Sequence, residues 1–208
     1  MLQFFPKIEV VFLTHIQEEK DCMANFTRKA IKETFIQLLE EHPLNEITIK
    51  DIVEHCGINR NSFYYHYQDL PALIEEIIKE EAEAIIQAYP SVTTIVECFD
   101  AVIEFTSHRK KAIMHIYHSV NREVFERNLM MVCEYFVQSY VDTALKDEPI
   151  SSKDKTTIVD YYRCVCFGLT IDWLNKGMSE AYTQSIRRIF LLKKDLAMEI
   201  AQLLQSQI

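Results

Sequence analysis

Glycine and proline are scarce in this chain, and their scarcity limits the fold more than any other feature. The 208 residues include 3 Gly and 5 Pro, well below the usual share in globular domains. Sheet proteins need turn residues at short intervals, and phosphate-binding loops need glycines where the phosphates sit. The sequence therefore favours an all-α fold of long helices with short connections, and it argues against Rossmann-type and P-loop enzymes.

Composition and charge narrow the class of protein further. Hydrophobic residues make up 49% and aromatic residues 11% of the chain, which is enough for a large core. No apolar run reaches the roughly 18 residues that a membrane-spanning helix needs. Six irregularly spaced cysteines, in a chain that begins without a basic secretory leader, predict reduced thiols in the cytoplasm. The net charge of −9 argues against indiscriminate coating of nucleic acid but permits a small basic footprint.

Apolar residues at helical spacing predict about nine helices. The chain divides into three segments, of which the second and third are helical. Residues 1–24 have no clear pattern, and we expect either a variable N-terminal arm or an upstream mis-start, with Met23 as the natural beginning. Residues 25–70 form a small N-terminal domain of one longer and two short helices. Residues 71–208 form a larger helical domain. We found neither an internal repeat nor a low-complexity tract.

The end and start signals of the short helices indicate a tight turn between them. Gly57 is the only glycine in the first 167 residues, and it falls where a positive φ is needed to leave one helix and enter the next. Thr48 is expected to begin the preceding helix and Asn59 to cap the following one. Asp69 is predicted to cap the fourth helix, and Ser91 to start the fifth.

Two short helices joined by a tight turn form a helix-turn-helix, whose second helix can enter the major groove of B-DNA. Arginine can bond guanine through two atoms, asparagine can bond adenine, and serine can bond several bases. Phenol hydroxyls and imidazoles can contact phosphate oxygens. The candidate base-reading residues are Asn59, Arg60, Asn61 and Ser62, and the candidate phosphate-contacting residues after them are Tyr64, Tyr65 and His66.

The run T-I-K-D-I-V-E-H-C-G-I-N-R-N-S-F-Y-Y-H-Y, from Thr48 to Tyr67, closely resembles the DNA-binding signature of the TetR/AcrR family of bacterial transcriptional regulators. The resemblance implies that Thr48 bonds a phosphate and that Phe63 and Tyr67 pack the small core. Members often carry a lysine just after the recognition helix, where this chain has Gln68-Asp69-Leu70, so that phosphate contact is missing. The segment from Gly168 to Leu174 also resembles a penultimate helix of several members.

The charge of the small domain is unusual for a DNA-binding domain. Residues 25–70 contain five Lys or Arg and seven Asp or Glu. The basic residues nevertheless stand near helix starts, where backbone N–H groups and the helix dipole also favour phosphate. These residues are Arg28, Lys29, Lys32, Lys50 and Arg60. A helix-turn-helix that serves only in packing is the alternative.

The segment CVCFGLTIDWL, Cys164 to Leu174, is apolar nearly all round, as expected of a helix buried on two sides. In the TetR/AcrR family, which this chain resembles, the C-terminal helices form a homodimer interface. The resemblance therefore implies that one side of this helix faces a second copy. A helix wholly internal to a monomer is the alternative. The predicted interface residues are Phe167, Gly168, Ile171, Trp173, Leu174, Ile189, Leu196 and Leu203.

The same family commonly encloses a small-molecule pocket in this domain. Aromatic residues with polar tips favour a mainly apolar effector with a few hydrogen-bonding groups. The candidate pocket residues are Phe99, Ile103, Tyr117, Phe136, Tyr140, Tyr162 and Cys166, each of which can instead be ordinary core.

Metal and catalytic sites are poorly supported. His115 and His118 share a helix face but lack a matching ligand on another helix. Cys164 and Cys166 are about 200° apart around a helix and cannot chelate one ion together. Cys56 is either a redox handle or a small core residue. We predict no catalytic residues, no metal and no cofactor.

The sequence thus predicts a cytoplasmic, homodimeric transcriptional regulator, a repressor that binds a palindromic double-stranded DNA operator and is released by a small-molecule effector. Its two recognition helices would lie about one duplex turn, roughly 34–36 Å, apart. The alternative is a protein-interaction adaptor or coactivator with a degenerate helix-turn-helix and little DNA affinity. We predict neither an enzyme nor a membrane partner.

Overall fold

The computed structural model describes residues 25–119 and 121–192, together with Glu199 and Gln202. Regular secondary structure in these residues is entirely helical, which confirms the predicted all-α class. The elements are α1 (residues 25–41), a 3-10 turn (Leu44–Glu46), α2 (Ile49–Cys56), α3 (Arg60–His66), α4 (Leu70–Ala88), α5 (Ile95–Ser107), α6 (Lys110–Tyr117), α7 (Arg122–Ala144), α8 (Ser152–Asn175) and α9 (Glu180–Leu192). The predicted arm and the interface residues Leu196 and Leu203 lie outside the described residues.

The chain divides into two compact units, and the division falls inside α4, between Leu73 and Ile74. In the first unit, Ile31, Phe35 and Leu39 recur four residues apart along α1 and are fully buried. They share the core with side chains from α2 and α3, including Ile52 and Phe63. Helices as short as α2 and α3 are not stable alone, so this packing is what holds them.

The turn between α2 and α3 matches the prediction at each of its ends. The Thr48 hydroxyl accepts from the Asp51 amide at the start of α2, and the Asp51 side chain accepts from the Thr48 amide, which completes a capping box. Gly57 ends α2 with φ at 68°, in the left-handed region. The Ile58 amide then donates to the Val53 carbonyl at 3.0 Å, a helix-ending pattern that requires a residue such as glycine.

The second unit is built around α5, α7, α8 and α9. The ring of Phe99 on α5 contacts Trp173 on α8 and Phe190 on α9 edge to face, each at 5.9 Å between centroids. The Trp173 indole donates to the Thr183 hydroxyl at 2.8 Å. This buried hydrogen bond and the ring contacts fix α9 against α8 and α5.

The predicted start of α5 at Ser91 is wrong by three residues. Thr94 is the actual N-cap, because it forms a capping box with Glu97. The Thr93 amide also donates to the Glu97 carboxylate, at 2.6 Å. A carboxylate that accepts several amides outcompetes a lone serine as the start signal. Among the described residues, no helix is both long and apolar enough to cross a lipid bilayer.

Candidate functional site

The outer face of α3 is exposed and free of acidic residues. Arg60 and Asn61 begin this face and are exposed, and Tyr64 and Tyr65 follow with exposed fractions of 53% and 79%. On the opposite side of the helix Phe63 is fully buried, so α3 is anchored by one side while it presents the other. The helix contains no acidic side chain. An exposed polar face on an anchored helix is what groove insertion requires.

Two of the four predicted base-reading residues have a structural role in this state. Asn59 is the N-cap of α3, and its side-chain oxygen accepts from the Ser62 amide at 2.9 Å and from the Ser62 hydroxyl at 3.3 Å. Their polar groups are therefore engaged with each other. Arg60 and Asn61 lie outside this cap and are the better placed of the four to meet a base edge.

Thr48 is similarly occupied by its own helix. Its hydroxyl donates to the Asp51 carboxylate at 2.7 Å, and its amide donates to the same oxygen at 2.8 Å. These hydrogen bonds hold the pKa of Asp51 below its ordinary value, because they favour the ionised carboxylate. The predicted phosphate contact of Thr48 stays a prediction, since the hydroxyl contributes here to the start of α2.

Two lysines of the first unit make weak ion pairs within their own helices. Lys29 lies 3.7 Å from Glu33, and Lys50 lies 3.7 Å from Glu54, in exposed pairs one helical turn apart. The Arg28 guanidinium lies 5.9 Å from the Tyr67 ring centroid. Exposed pairs of this kind contribute about 1 kcal/mol at most, so a phosphate can replace the carboxylate at little cost.

Arg60 differs from these basic residues. None of the described residues forms an ion pair with it, and it occupies the first position of α3. The amide dipoles at a helix start disfavour a cation and favour an anion. Arg60 and the start of α3 therefore attract negative charge together. His66 is half-buried at the other end of the helix, with its ring 5.0 Å from that of Tyr65.

The predicted interface residues of the second unit separate into two groups. Gly168 is exposed, Phe167 and Ile171 are half-buried, and Ile189 on α9 is 41% exposed. In contrast, Trp173 and Leu174 are buried in the core of their own unit, with 3% and 2% of their surface exposed. Their placement corrects the prediction, because side chains already buried within one copy leave no surface for a second copy.

The second unit contains a small cavity of about 20 Å³, roughly the space of one water molecule. Its lining residues come from α5, α7, α8 and α9: they are Cys98, Phe99, Val102, Cys133, Phe136, Val137, Cys166, Thr170 and Phe190. Three of the predicted pocket residues, Phe99, Phe136 and Cys166, are among them. The sequence analysis missed the other lining residues. For those on α5 and α7 a signal existed, because an interval of four residues places Cys98 with Val102 and Cys133 with Val137 on the same helix face.

The other predicted pocket residues do not line this cavity, and their assignment stays a prediction. The Tyr117 hydroxyl donates to the Asn175 side chain at 2.8 Å and accepts from Arg122 at 2.8 Å, so it fastens α6 to α7 and α8. Tyr140 and Tyr162 are buried against each other, with ring centroids 5.8 Å apart. The remaining one, Ile103, is half-buried against the core.

The tyrosine hydroxyls of this region differ in how they are satisfied. The Tyr162 hydroxyl is buried and makes no hydrogen bond within the described part of the chain. Burial raises its pKa above the ordinary value, so the phenol is neutral.

Across the same described residues, no three His, Cys, Asp or Glu side chains surround a point as a cation site would require.

Comparisons with known proteins agree with this geometry. Residues 33–77 match the family described as "Bacterial regulatory proteins, tetR family", and residues 93–195 match "Transcriptional regulator C-terminal region". An uncharacterized HTH-type transcriptional regulator of Bacillus subtilis (strain 168), YxbF, is 24% identical over 177 residues, which cover 79% of this chain and 44% of that protein. The chain thus spans less than half the length of that curated relative.

A solved structure has the same architecture. The dihydroxyacetone kinase operon activator DhaS superposes with a TM-score of 0.62 at 18% identity, over 88% of this chain and 96% of that one. At this identity the likeness shows the fold alone. The two sequence matches cover the helix-turn-helix and most of the second unit, and they define a helical regulator of transcription. The chain belongs to the TetR family of bacterial transcriptional regulators, which confirms the resemblance of the Thr48–Tyr67 run.

Proposed function

We propose that this protein binds double-stranded DNA in a sequence-dependent way through α3, and that it regulates transcription from the site it binds. The observation that carries the proposal is the exposed, acid-free face of α3, which starts with Arg60 and is held from behind by the buried Phe63. Membership of the TetR family supports the same role.

The roles of individual side chains follow from their reach and chemistry. Arg60 and Asn61 stand at the first turn of α3 and carry the groups that recognise guanine and adenine in the major groove. Tyr64 and Tyr65 lie one turn later, where phenol hydroxyls contact phosphates and fix the register without reading sequence. Lys29 and Lys50 exchange their weak carboxylate partners for phosphates.

Binding as a homodimer completes this function, because two copies of α3 can then read the halves of a palindrome. Apolar surface on the last helices of the second unit supports a second copy as the partner. Tyr161 is 49% exposed on α8, and Leu191 and Leu192 are 59% and 73% exposed on α9. Gly168 lies on the same exposed side of α8 as Tyr161, and its missing side chain permits close approach of another helix.

The regulatory consequence we propose is repression that is relieved when a small effector enters the second unit. An effector changes DNA affinity only by its differential affinity for the bound and released states. The structural relative DhaS is named an operon activator, so activation is the other outcome to be tested. A cytoplasmic location and the absence of catalysis remain predictions from the sequence.

DNA binding is tested by fluorescence anisotropy with the DNA upstream of the protein's own gene. We expect the logarithm of the affinity to fall linearly with the logarithm of salt concentration. Arg60→Ala should cost about 1–3 kcal/mol per half-site and relax the preference at one operator position. Lys146→Ala is the matched control, since it removes one positive charge from an exposed position between α7 and α8 and should leave binding unchanged.

Two results would contradict the proposal in different ways. Equal loss of affinity for all sequences in the Arg60 variant would show that this residue contacts phosphate alone. Absence of measurable binding at low salt by the unmodified protein would contradict DNA binding itself. That second result would favour the adaptor or coactivator, in which the helix-turn-helix meets another protein.

The homodimer is tested by Gly168→Ala. No described atom lies within 4 Å of a Cβ built on Gly168, so the change costs nothing within one copy. It should stabilise α8 by roughly 0.5–1 kcal/mol, because alanine is the better helix former. A close contact between copies would instead be pushed apart. We therefore expect weaker dimerisation by analytical ultracentrifugation, and an unchanged dimer constant would remove Gly168 from the interface.

A further inference from the structure

Three of the six cysteines line one cavity in the second unit. Cys98 on α5, Cys133 on α7 and Cys166 on α8 face it from three different helices, and all three are buried. The other described cysteines lie elsewhere, Cys56 half-buried in the first unit and Cys164 exposed on α8. The irregular spacing of the cysteines along the sequence conceals this gathering.

The rest of the cavity wall is apolar. Its other side chains are aromatic or aliphatic except for Thr170, whose hydroxyl already donates to the Cys166 carbonyl at 2.8 Å. No Lys, Arg, Asp, Glu or His is among the described lining residues. A charged ligand would therefore lose its hydration without gaining a counter-charge, which is costly.

The three sulfur atoms are neutral thiols at physiological pH. Burial raises the pKa of Cys98 and of Cys133 to about 12 and raises the pKa of Cys166 well above its ordinary value. The neighbouring thiols add to the upward shifts in the pKa of Cys98 and of Cys166.

Charge balance selects among the species that bind three sulfurs. Zinc(II) or copper(I) held by three thiolates would leave a net negative charge in this apolar wall, at a high desolvation cost. A trivalent group 15 element held by three thiolates is neutral, and its hydroxide is neutral before binding. Such a species enters and stays without burying charge.

We propose that this cavity is a binding site for a trivalent group 15 hydroxide, of which arsenous acid, As(OH)₃, is the representative, with Cys98, Cys133 and Cys166 as its three ligands. Three S–H bonds and three As–OH bonds break. Three As–S bonds form, and each released hydroxyl leaves with a thiol proton as water. Arsenic stays trivalent throughout, so the step needs no oxidant or reductant.

Binding must rearrange the cavity, and that rearrangement gives the site a regulatory use. No cation site is preformed among the described residues, so the sulfur atoms must turn inward, and a change of cysteine rotamer moves a sulfur by roughly 3 Å. Three bonds to one small atom then draw α5, α7 and α8 towards it. This site would be the effector site of the proposed regulator, and that regulatory step rests on the proposed function whereas the binding itself does not.

Native mass spectrometry of the full-length reduced protein with sodium arsenite tests the binding. We expect one arsenic atom per chain with the loss of three hydrogens, together with an As–S absorption band in the ultraviolet and a raised melting temperature. Cys98→Ser, Cys133→Ser and Cys166→Ser should each weaken binding by about tenfold or more and leave one hydroxyl on the arsenic. Cys164→Ser, on the same helix as Cys166 but exposed, is the matched control and should bind as the unmodified protein does.

Folding of each variant is checked by its helical circular dichroism, and Cys→Ala versions replace any serine variant that unfolds. Undiminished binding in the three cavity variants, or loss of binding in the Cys164 variant, would overturn the site. Stoichiometric binding of zinc(II) or copper(I), without binding of arsenic, would overturn the argument that the apolar cavity selects a neutral species.

Anisotropy with operator DNA separates this inference from the proposed function. Arsenite should alter the operator affinity of the unmodified protein and leave that of the Cys133 variant unchanged. Operator binding without any arsenic binding would overturn the cavity site alone. Arsenic binding by a protein that never binds DNA would overturn the proposed function and leave the site standing.

Discussion

Two tyrosines on the outer face of α3 differ in exposure from three tyrosines in the core of the second unit. On α3 of the first unit Tyr64 and Tyr65 are 53% and 79% exposed. In the second unit Tyr117, Tyr140 and Tyr162 are at most 4% exposed. A large apolar side chain left in water gains nothing for stability, so the tyrosines of α3 are better explained by a partner. The buried ones belong to the core, where the Tyr117 hydroxyl finds its partners inside the protein.

The same contrast between a buried and an exposed ring occurs within α3, between the neighbouring residues Phe63 and Tyr64. Phe63 is fully buried and contacts the rings of Tyr64 and Tyr67, each at 5.7 Å. Phe63→Ala should destabilise the protein by about 3–5 kcal/mol, because it removes a core ring and leaves a cavity. Tyr64→Ala should change stability by no more than about 0.5 kcal/mol and should weaken DNA binding instead. Urea denaturation and anisotropy measure the two effects.

A Tyr64 variant that loses as much stability as the Phe63 variant would break the comparison. It would mean that the exposed tyrosine supports the fold and is not reserved for a partner. Phe63→Leu serves as the control, since it keeps an apolar side chain in the core and should recover most of the loss.

The features of the first unit that could be predicted from the sequence are local ones. Thr48, Gly57 and Asn59 each determine a helix end through contacts within four residues, so their roles follow from the sequence and match the structure. The burial of Phe63 is implied by the family resemblance, since Arg60 and Phe63 are three residues apart and the helical period alone does not separate them. The prediction that Asn59 and Ser62 read bases did not take into account that the same cap engages both side chains with each other.

In the second unit the decisive contacts lie far apart in the sequence. The segment around Trp173 is apolar on nearly every side, so its period does not say which side meets α5 and α9 and which faces outward. The partners of Trp173 are Phe99 and Thr183, and only the packing of three helices brings them together. The same holds for the cavity, whose three cysteines lie on three different helices and are more than thirty residues apart in the sequence.

A second prediction compares hydroxyl groups in the two units. Tyr117→Phe removes a hydroxyl that joins Asn175 and Arg122, and it should cost about 0.5–1.5 kcal/mol. Tyr65→Phe removes an exposed hydroxyl and should leave stability unchanged within about 0.5 kcal/mol. Thermal unfolding of the two variants gives both values. An equal loss would show that the Tyr65 hydroxyl has an internal partner, and the difference between the units would then be one of degree.

The smallest expected effect on stability concerns the capping box, a helix-start motif that occurs in both units. Thr48 with Asp51 begins α2, and Thr94 with Glu97 begins α5, each as a capping box. Hydrogen bonds from threonine amides and hydroxyls lower the pKa of Asp51 and of Glu97. A carboxyl whose pKa is lower in the folded than in the unfolded state stabilises the fold above its unfolded pKa, and this contribution is lost as the pH falls through the folded value.

We therefore expect both caps to weaken together on acidification, starting below about pH 5, although the units differ in every other respect discussed. The measurement is the urea midpoint of the protein as a function of pH. Asp51→Asn and Glu97→Gln should each make its pH dependence shallower, because neither amide titrates. Glu123→Gln, which replaces an exposed carboxylate in the first turn of α7, is the matched control and should have a smaller effect. If only one cap variant changes the slope, the units differ in their local helix signals as well as in their packing.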